Sequence, residues 1–225
     1  MMLFVDSDFG DPGTNLQGDM RLLDRCDRGE LPGALRFWET CEAVVVAGHS
    51  NRNLEGIRLD RCRELGVGVL RRSTGGGTVV VGPGSLQYSV VLPVEPGGPL
   101  DGIRQTNTFV MERNRRALEA ACRRPVRVEG YTDLVVGPEN GTWRKVSGNS
   151  QRRARRAVLF HGTFLIDFDI SLIVELLDNP RVAPEYRRGR GHGEFLANLN
   201  VTSAVLRESI RKEWSELSLI PGDLM

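Results

Sequence analysis

Arg71-Arg72-Ser73-Thr74-Gly75-Gly76-Gly77-Thr78-Val79-Val80-Val81-Gly82-Pro83-Gly84-Ser85-Leu86-Gln87-Tyr88-Ser89 joins two arginines, three consecutive glycines and a β-branched run. Three adjacent glycines cost backbone entropy and pack no side chain, so they need a steric reason. One reason is close approach of the backbone to a ligand, whose anionic group the loop N–H groups would cradle beside the forked donors of Arg71 and Arg72. The other is a plain hinge between strands, with both arginines solvated. Around the loop the pattern is that of antiparallel sheet. Val67–Leu70 reads as a strand, Thr78–Val81 as another, and Gly82-Pro83-Gly84 as a turn. Leu86–Leu92 is then a return strand alternating at period two.

Working outward, helical spacing of Leu16, Met20, Leu22 and Leu23 predicts a helix over 16–27 capped by Asn15, with residues 1–14 as a loose leader. Strands are expected at Ala34–Trp38 and Ala43–Ala47, and a short helix at Leu59–Leu65 ended by Gly66. Ile103–Cys122 is the longest helix, with Phe109, Val110, Ala117 and Leu118 on its apolar stripe. Val126–Val128, Asp133–Val136 and Trp143–Ser147 read as strands, the last two joined by a hairpin turn at Asn140-Gly141. A strong strand pattern covers 157–167, and a short helix 170–177. Residues 178–194 read as a polar, arginine-rich loop, and 198–217 carry helical content. The order predicts an α+β fold of mixed, largely antiparallel sheets flanked by helices, as one domain over 1–225.

With 225 residues, 40% apolar and 26% charged, the composition is that of an ordinary globular protein. A formal net charge of +1 gives no field for nucleic acid or membrane, and no apolar run approaches the ~20 residues of a bilayer span. Cys26, Cys41, Cys62 and Cys122 form no CxxC pair, which argues against a metal site or disulfide framework and for a reduced, cytoplasmic setting. Nearly every basic residue is arginine; the lysines are Lys145 and Lys212. Lys145 precedes Val146-Ser147-Gly148, ahead of an expected Ser-Gly turn, and its compact ammonium suits an oxyanion at close quarters; an edge-strand surface lysine is the alternative. Asp133, at a strand entrance, is either a turn residue or a partner for a neighbouring lysine. His161 reads as a hydrogen-bonded structural residue or a base; the run Arg152–Arg156 has the charge of a nucleic-acid patch but no interleaved aromatics and reads as solvated, and the loop of Arg187, Arg188, Arg190 and His192 as solvent-exposed or as a contact for an acidic partner protein or phosphate.

Taken in series, Asn15-Leu16, Arg71-Arg72-x-Thr74-Gly75-Gly76-Gly77, Gly84-x-Leu86-x-Tyr88-Ser89, Asp133-Leu134-Val135, Lys145-Val146-Ser147-Gly148 and His161-Gly162-Thr163 resemble the biotin/lipoate–protein ligase superfamily, most closely the lipoate–protein ligase A type. The likeness spans about residues 15–200. It implies an ATP-dependent ligase, with magnesium accompanying the nucleotide, that activates lipoate or octanoate as an acyl-adenylate. The acyl group then passes to a lysine of a lipoyl-carrier domain of the E2 or glycine-cleavage H type. Carried over, Lys145 is the electrostatic catalyst; Arg72, Thr74, Gly75, Gly76, Gly77, Asp133, Ser147, Gly148 and His161 bind substrate and nucleotide. Val79, Val80, Leu134 and Val146 wall the acyl tunnel, and no metal is held by the protein itself. The chain departs from the family in having Val81 where a histidine is usual, Gln17 where a small residue is usual, and no length for a C-terminal accessory domain, which a separate subunit would have to supply. The competing readings are an octanoyl or lipoyl transferase acting without ATP through a cysteine thioester, a biotin ligase, and a non-catalytic lipoate-binding homologue.

Overall fold

A computed structural model describes residues 2–6, 8–139 and 141–215. In chain order the elements are β1 (Leu3–Asp6), α1 (Pro12–Asp27), β2 (Ala34–Trp38), β3 (Val44–Ala47), α2 (Leu59–Glu64), β4 (Gly68–Arg71), β5 (Val79–Val81), β6 (Ser85–Pro93) and α3 (Ile103–Cys122). There follow β7 (Val126–Glu129), β8 (Asp133–Glu139), β9 (Thr142–Arg153), β10 (Ala157–Leu165), α4 (Ile170–Leu176), a 3-10 turn at Glu185–Arg187, α5 (His192–Phe195) and α6 (Ser203–Ser215). A seven-stranded sheet runs β1-β2-β6-β10-β9-β8-β7, and a three-stranded sheet β4-β3-β5. Among the strands of the described residues, β1–β2 and β3–β4 pair in parallel and the remaining pairs are antiparallel. The expected α+β class of mixed, largely antiparallel sheets is therefore what the chain adopts.

Strand alternation decides what each face of the large sheet does. Leu35 and Phe37 of β2, Tyr88, Val90 and Leu92 of β6, and Val158, Phe160 and Phe164 of β10 join one core with α3 and α6. The alternate residues, among them Ala34, Val91, Ala157 and Leu159, pack against Leu22, Leu23 and Cys26 of α1. His161 of β10, Arg36 of β2 and Ser89 of β6 fall on this α1 side as well, where they meet Asp19. The small sheet has its own core with α2, α4 and α5, built on Val45, Ala47, Val80, Leu176 and Phe195.

Several expectations need correction. The leader is not loose throughout, because Leu3–Asp6 adds a parallel edge strand to β2. The first helix starts at Pro12, not Leu16, and its cap is Asp11, which accepts from Thr14 N at 2.9 Å. Proline at the first helical position loses no needed N–H, so it begins a helix here instead of breaking one. Asn15 is buried inside that helix, its side-chain oxygen held by Arg36. Ser147-Gly148 is no turn: β9 runs on through it to Arg153, paired with β10. The arginines of that run are consequently engaged, Arg153 donating to Leu100 O at 2.8 Å and Arg152 to Ser73 O at 2.8 Å. Asn140 of the expected hairpin turn and residues 216–217 of the expected last helix lie outside the described residues.

Candidate active site

The glycine loop closes the gap between the two sheets. Arg72 follows β4 and turns its guanidinium inward. Its Nε donates to Thr74 Oγ1 at 2.9 Å, and its Nη2 to Gly75 O at 2.6 Å and Gly77 O at 2.8 Å. Burial pulls the Arg72 guanidinium down to about 10, and among the described residues no carboxylate pairs with it. Gly76 adopts φ +86°, which favours glycine. A side chain at Gly48 would strike the Gly76 carbonyl, so the loop lies directly on the turn after β3. His49 N to Thr74 O at 2.8 Å ties the same two segments.

Behind the loop lies a buried polar chain. Thr74 Oγ1 is 2.7 Å from His161 Nε2, and His161 Nδ1 is 3.4 Å from Asp19 Oδ2. Asp19 Oδ1 accepts from Arg36 Nη1 at 2.7 Å and Ser89 Oγ at 2.9 Å. A charge pair this deep requires such complete satisfaction.

Lys145 arrives from the other side. The β8–β9 ladder slips between Leu134 and Val135, placing Lys145 opposite Val135 and Ser147 opposite Leu134. Such bulges re-aim side chains. The Lys145 backbone is pinned by Ala197 N donating to its carbonyl at 2.9 Å. Its Nζ sits 2.7 Å from Asp133 Oδ1, with the two side chains 24% and 18% exposed, accessible enough to meet a ligand. Tyr186 donates to the other oxygen, Asp133 Oδ2, at 2.6 Å. Burial, then the Asp133 charge, hold the Tyr186 phenol well above its usual range, so it stays a donor.

Two cavities meet at this pair. One, of about 260 Å³, is lined by Leu16, Trp38, Val46, Val79, Val81, Tyr88 and His161. The other, of about 510 Å³, extends under the 178–187 segment and α5 past Pro180, Arg181, Pro184, Arg187 and Phe195. Both are lined by Gly77, Val79, Asp133, Lys145 and Gly148. The structure thus gathers Arg72, Gly76, Gly77, Asp133, Lys145, Gly148 and His161 around the smaller cavity, and Ser147 around the larger. Thr74 is fully buried behind Arg72 and His161, and neither it nor Gly75 lines either of these two cavities. Of the expected tunnel wall, Val79 lines both cavities and Val80 the larger, whereas Leu134 and Val146 belong to the core under α3. Sequence reasoning missed Tyr186, Trp38 and Asn149; the Tyr-Arg pair inside an otherwise polar loop was the one available signal for Tyr186.

The family model of the lipoyl protein ligase A/B catalytic domain matches residues 11–207. The chain belongs to this family. Its fold is also that of solved members. A bi-partite lipoate protein ligase from Thermoplasma acidophilum superposes with a TM-score of 0.71 at 21% identity, over 96% of this chain and 82% of that one. P. falciparum LipL1 in complex with lipoate gives 0.75 at 19% identity, over 100% and 65%. Among curated relatives, octanoyltransferase LipM of Symbiobacterium thermophilum is 30% identical, covering 88% of this chain and 80% of the relative. Those of Geobacillus kaustophilus and Staphylococcus aureus are 28% and 27% identical, covering 79% and 77% of this chain and 69% and 68% of theirs. These relatives overturn the expectation of an ATP-dependent ligase, because they are named as transferases. The chain is an enzyme of the lipoate ligase and transferase group. Among its described residues no helix is long and apolar enough to cross a membrane.

Proposed function

We propose that this chain transfers an octanoyl or closely related acyl group, without ATP, from a thioester on one carrier protein to the lysine of a lipoyl-carrier domain. The observation that carries the reading is the convergence of the two cavities on the Lys145–Asp133 pair. The smaller cavity suits the acyl chain, and the larger one has room for the arm that presents it. Between them the Lys145 ammonium stabilises the oxyanion that forms on the acyl carbonyl oxygen, and Asp133, 2.7 Å away, keeps that ammonium aimed.

The four cysteines bear on the route. Cys26 is buried under α1 with its thiol pushed up to about 11, Cys62 is buried on α2, Cys122 is half-buried with its Sγ on Arg124 O, and Cys41 is exposed. None lines either cavity. The reading is therefore direct transfer: the acceptor amine adds to the thioester carbon, forming the C–N bond and a tetrahedral oxyanion, whose collapse breaks the C–S bond while the amine proton passes to the departing thiolate. Initial rates measured against both carriers without ATP are expected to follow a sequential pattern, and the enzyme's intact mass to stay unchanged after incubation with the octanoyl thioester. No transfer from a thioester, or transfer only when ATP is added, would sink the transferase reading. A ping-pong pattern with an octanoylated cysteine would retain the transferase and replace the direct route.

A further inference from the structure

Asp133 is gripped at both oxygens, by Lys145 Nζ at 2.7 Å and by Tyr186 Oη at 2.6 Å. A carboxylate held at one oxygen only swings about a broad terminal torsion. Held at both, it presents a fixed acceptor, and the lysine that depends on it is fixed in turn.

Tyr186 is itself well placed for this. Its ring lies 5.3 Å from that of Phe195 at 40°. Its carbonyl accepts from Arg190 Nη2 at 3.0 Å, and the turn before Asp133 packs on its ring, a side chain at Gly130 falling 3.7 Å from Tyr186 Cε1. The residue belongs to the 178–191 segment, whose Pro180, Arg181 and Pro184 line the larger cavity. The same hydroxyl therefore links the wall of that cavity to the lysine at its base.

We infer that Tyr186 is a positioning residue for the transfer reaction: it acts through Asp133 to aim Lys145, and makes the aim depend on the 178–191 segment being in place. This rests on the transferase reading above. Phenylalanine at 186 keeps the ring on Phe195 and removes only the hydroxyl. Y186F is expected to lower kcat about tenfold, as for one hydrogen bond to a charged group, with KM for the acyl donor and the melting temperature unchanged.

A residue that merely fastens the segment would act independently of Asp133, so the decisive comparison is a double-mutant cycle. Y186F on a D133N background is expected to cost nothing further. A second readout needs no turnover. With Lys145 and Lys212 as the lysines, 15N-lysine labelling gives two Nζ signals, separable with K212R. Y186F is expected to shift the Lys145 signal and leave that of Lys212, which lies exposed on α6. An unchanged kcat, a full loss repeated on the D133N background, or an unmoved Lys145 signal would each overturn the assignment. If the wild type transfers nothing, the transferase reading fails while the lysine spectrum still decides what Tyr186 does.

Discussion

Gly148 shows how little room the Lys145–Asp133 pair has. A Cβ built there falls 3.0 Å from Lys145 Nζ, 3.1 Å from Lys145 Cε and 3.7 Å from Asp133 Oδ1. Its backbone is ordinary strand, paired with Thr163, so alanine fits the fold. What must move is the flexible end of Lys145. G148A is accordingly expected to leave urea-denaturation stability nearly intact while lowering kcat roughly 10- to 100-fold, the usual penalty for displacing a catalytic group by about an ångström. If kcat holds, the Lys145–Asp133 geometry is not what the reaction uses. Val81 belongs to the same scale. The resemblance leads to an expectation of histidine there; the valine is buried in β5 against the smaller cavity, adding to the apolar wall.

Among the elements, the 178–191 segment with α5 departs most from its reading as a solvated arginine loop. Arg187 is buried, stacks 4.7 Å over the Phe195 ring and donates to Arg190 O at 2.8 Å; Arg190 in turn donates to Trp143 O at 2.9 Å. His192 Nε2 donates to Asp178 O at 3.1 Å, tying the start of the segment to its end. Burial first, and then Arg187, Lys145 and Arg58, hold the His192 imidazole below its usual range, outweighing that hydrogen bond. The sign follows from linkage. Below about pH 6.5 the unfolded chain takes up a proton that the folded chain resists, so stability falls as the pH drops through that value. Between pH 7 and 5 the melting temperature should therefore fall further in the wild type than in H192Q, whose amide keeps the donor but does not titrate; equal slopes would remove His192 from the account. This segment also shows why parts of the fold were illegible. Periodicity marked α3 and the apolar strands because their partners require it at every turn. It was silent on β1, a four-residue edge strand paired with residues about thirty positions away. It was silent too on the outer half of β9, where Ser-Gly-Asn-Ser-Gln-Arg-Arg has poor strand propensity and pairing with β10 overrides it. Lys145 was legible through the rarity of lysine, whereas Tyr186 meets Asp133 only across 53 positions of chain.

At the scale of the molecule, the site hangs from a polar thread through the large core. Trp214 Nε1 of α6 donates to Asn114 Oδ1 at 3.2 Å, Asn114 Nδ2 to Tyr88 Oη at 2.6 Å, and Tyr88 Oη to Asn149 Oδ1 at 2.6 Å. Asn149 Nδ2 then donates to Thr132 O at 2.8 Å, next to Asp133. Trp214, Asn114 and Tyr88 are almost completely buried, and burial keeps the Tyr88 phenol neutral and able to donate. An apolar core would pack α3 and α6 on the sheet equally well, but without fixing their register against β6 and β9. The thread supplies that register, because a slip of either helix would separate buried donors from their acceptors and leave them unsatisfied. Replacing Asn114 with leucine keeps the bulk and orphans the indole N–H, at an expected cost of about 1–3 kcal/mol in urea unfolding with an unchanged m-value. Tyr88 retains Asn149 as acceptor, so the smaller cavity should survive and, on the transferase reading, the KM for the acyl donor should stay near that of the wild type. A loss of binding out of proportion to the loss of stability would instead mean that α6, more than a hundred residues of sequence from Tyr88, helps set the shape of the cavity itself.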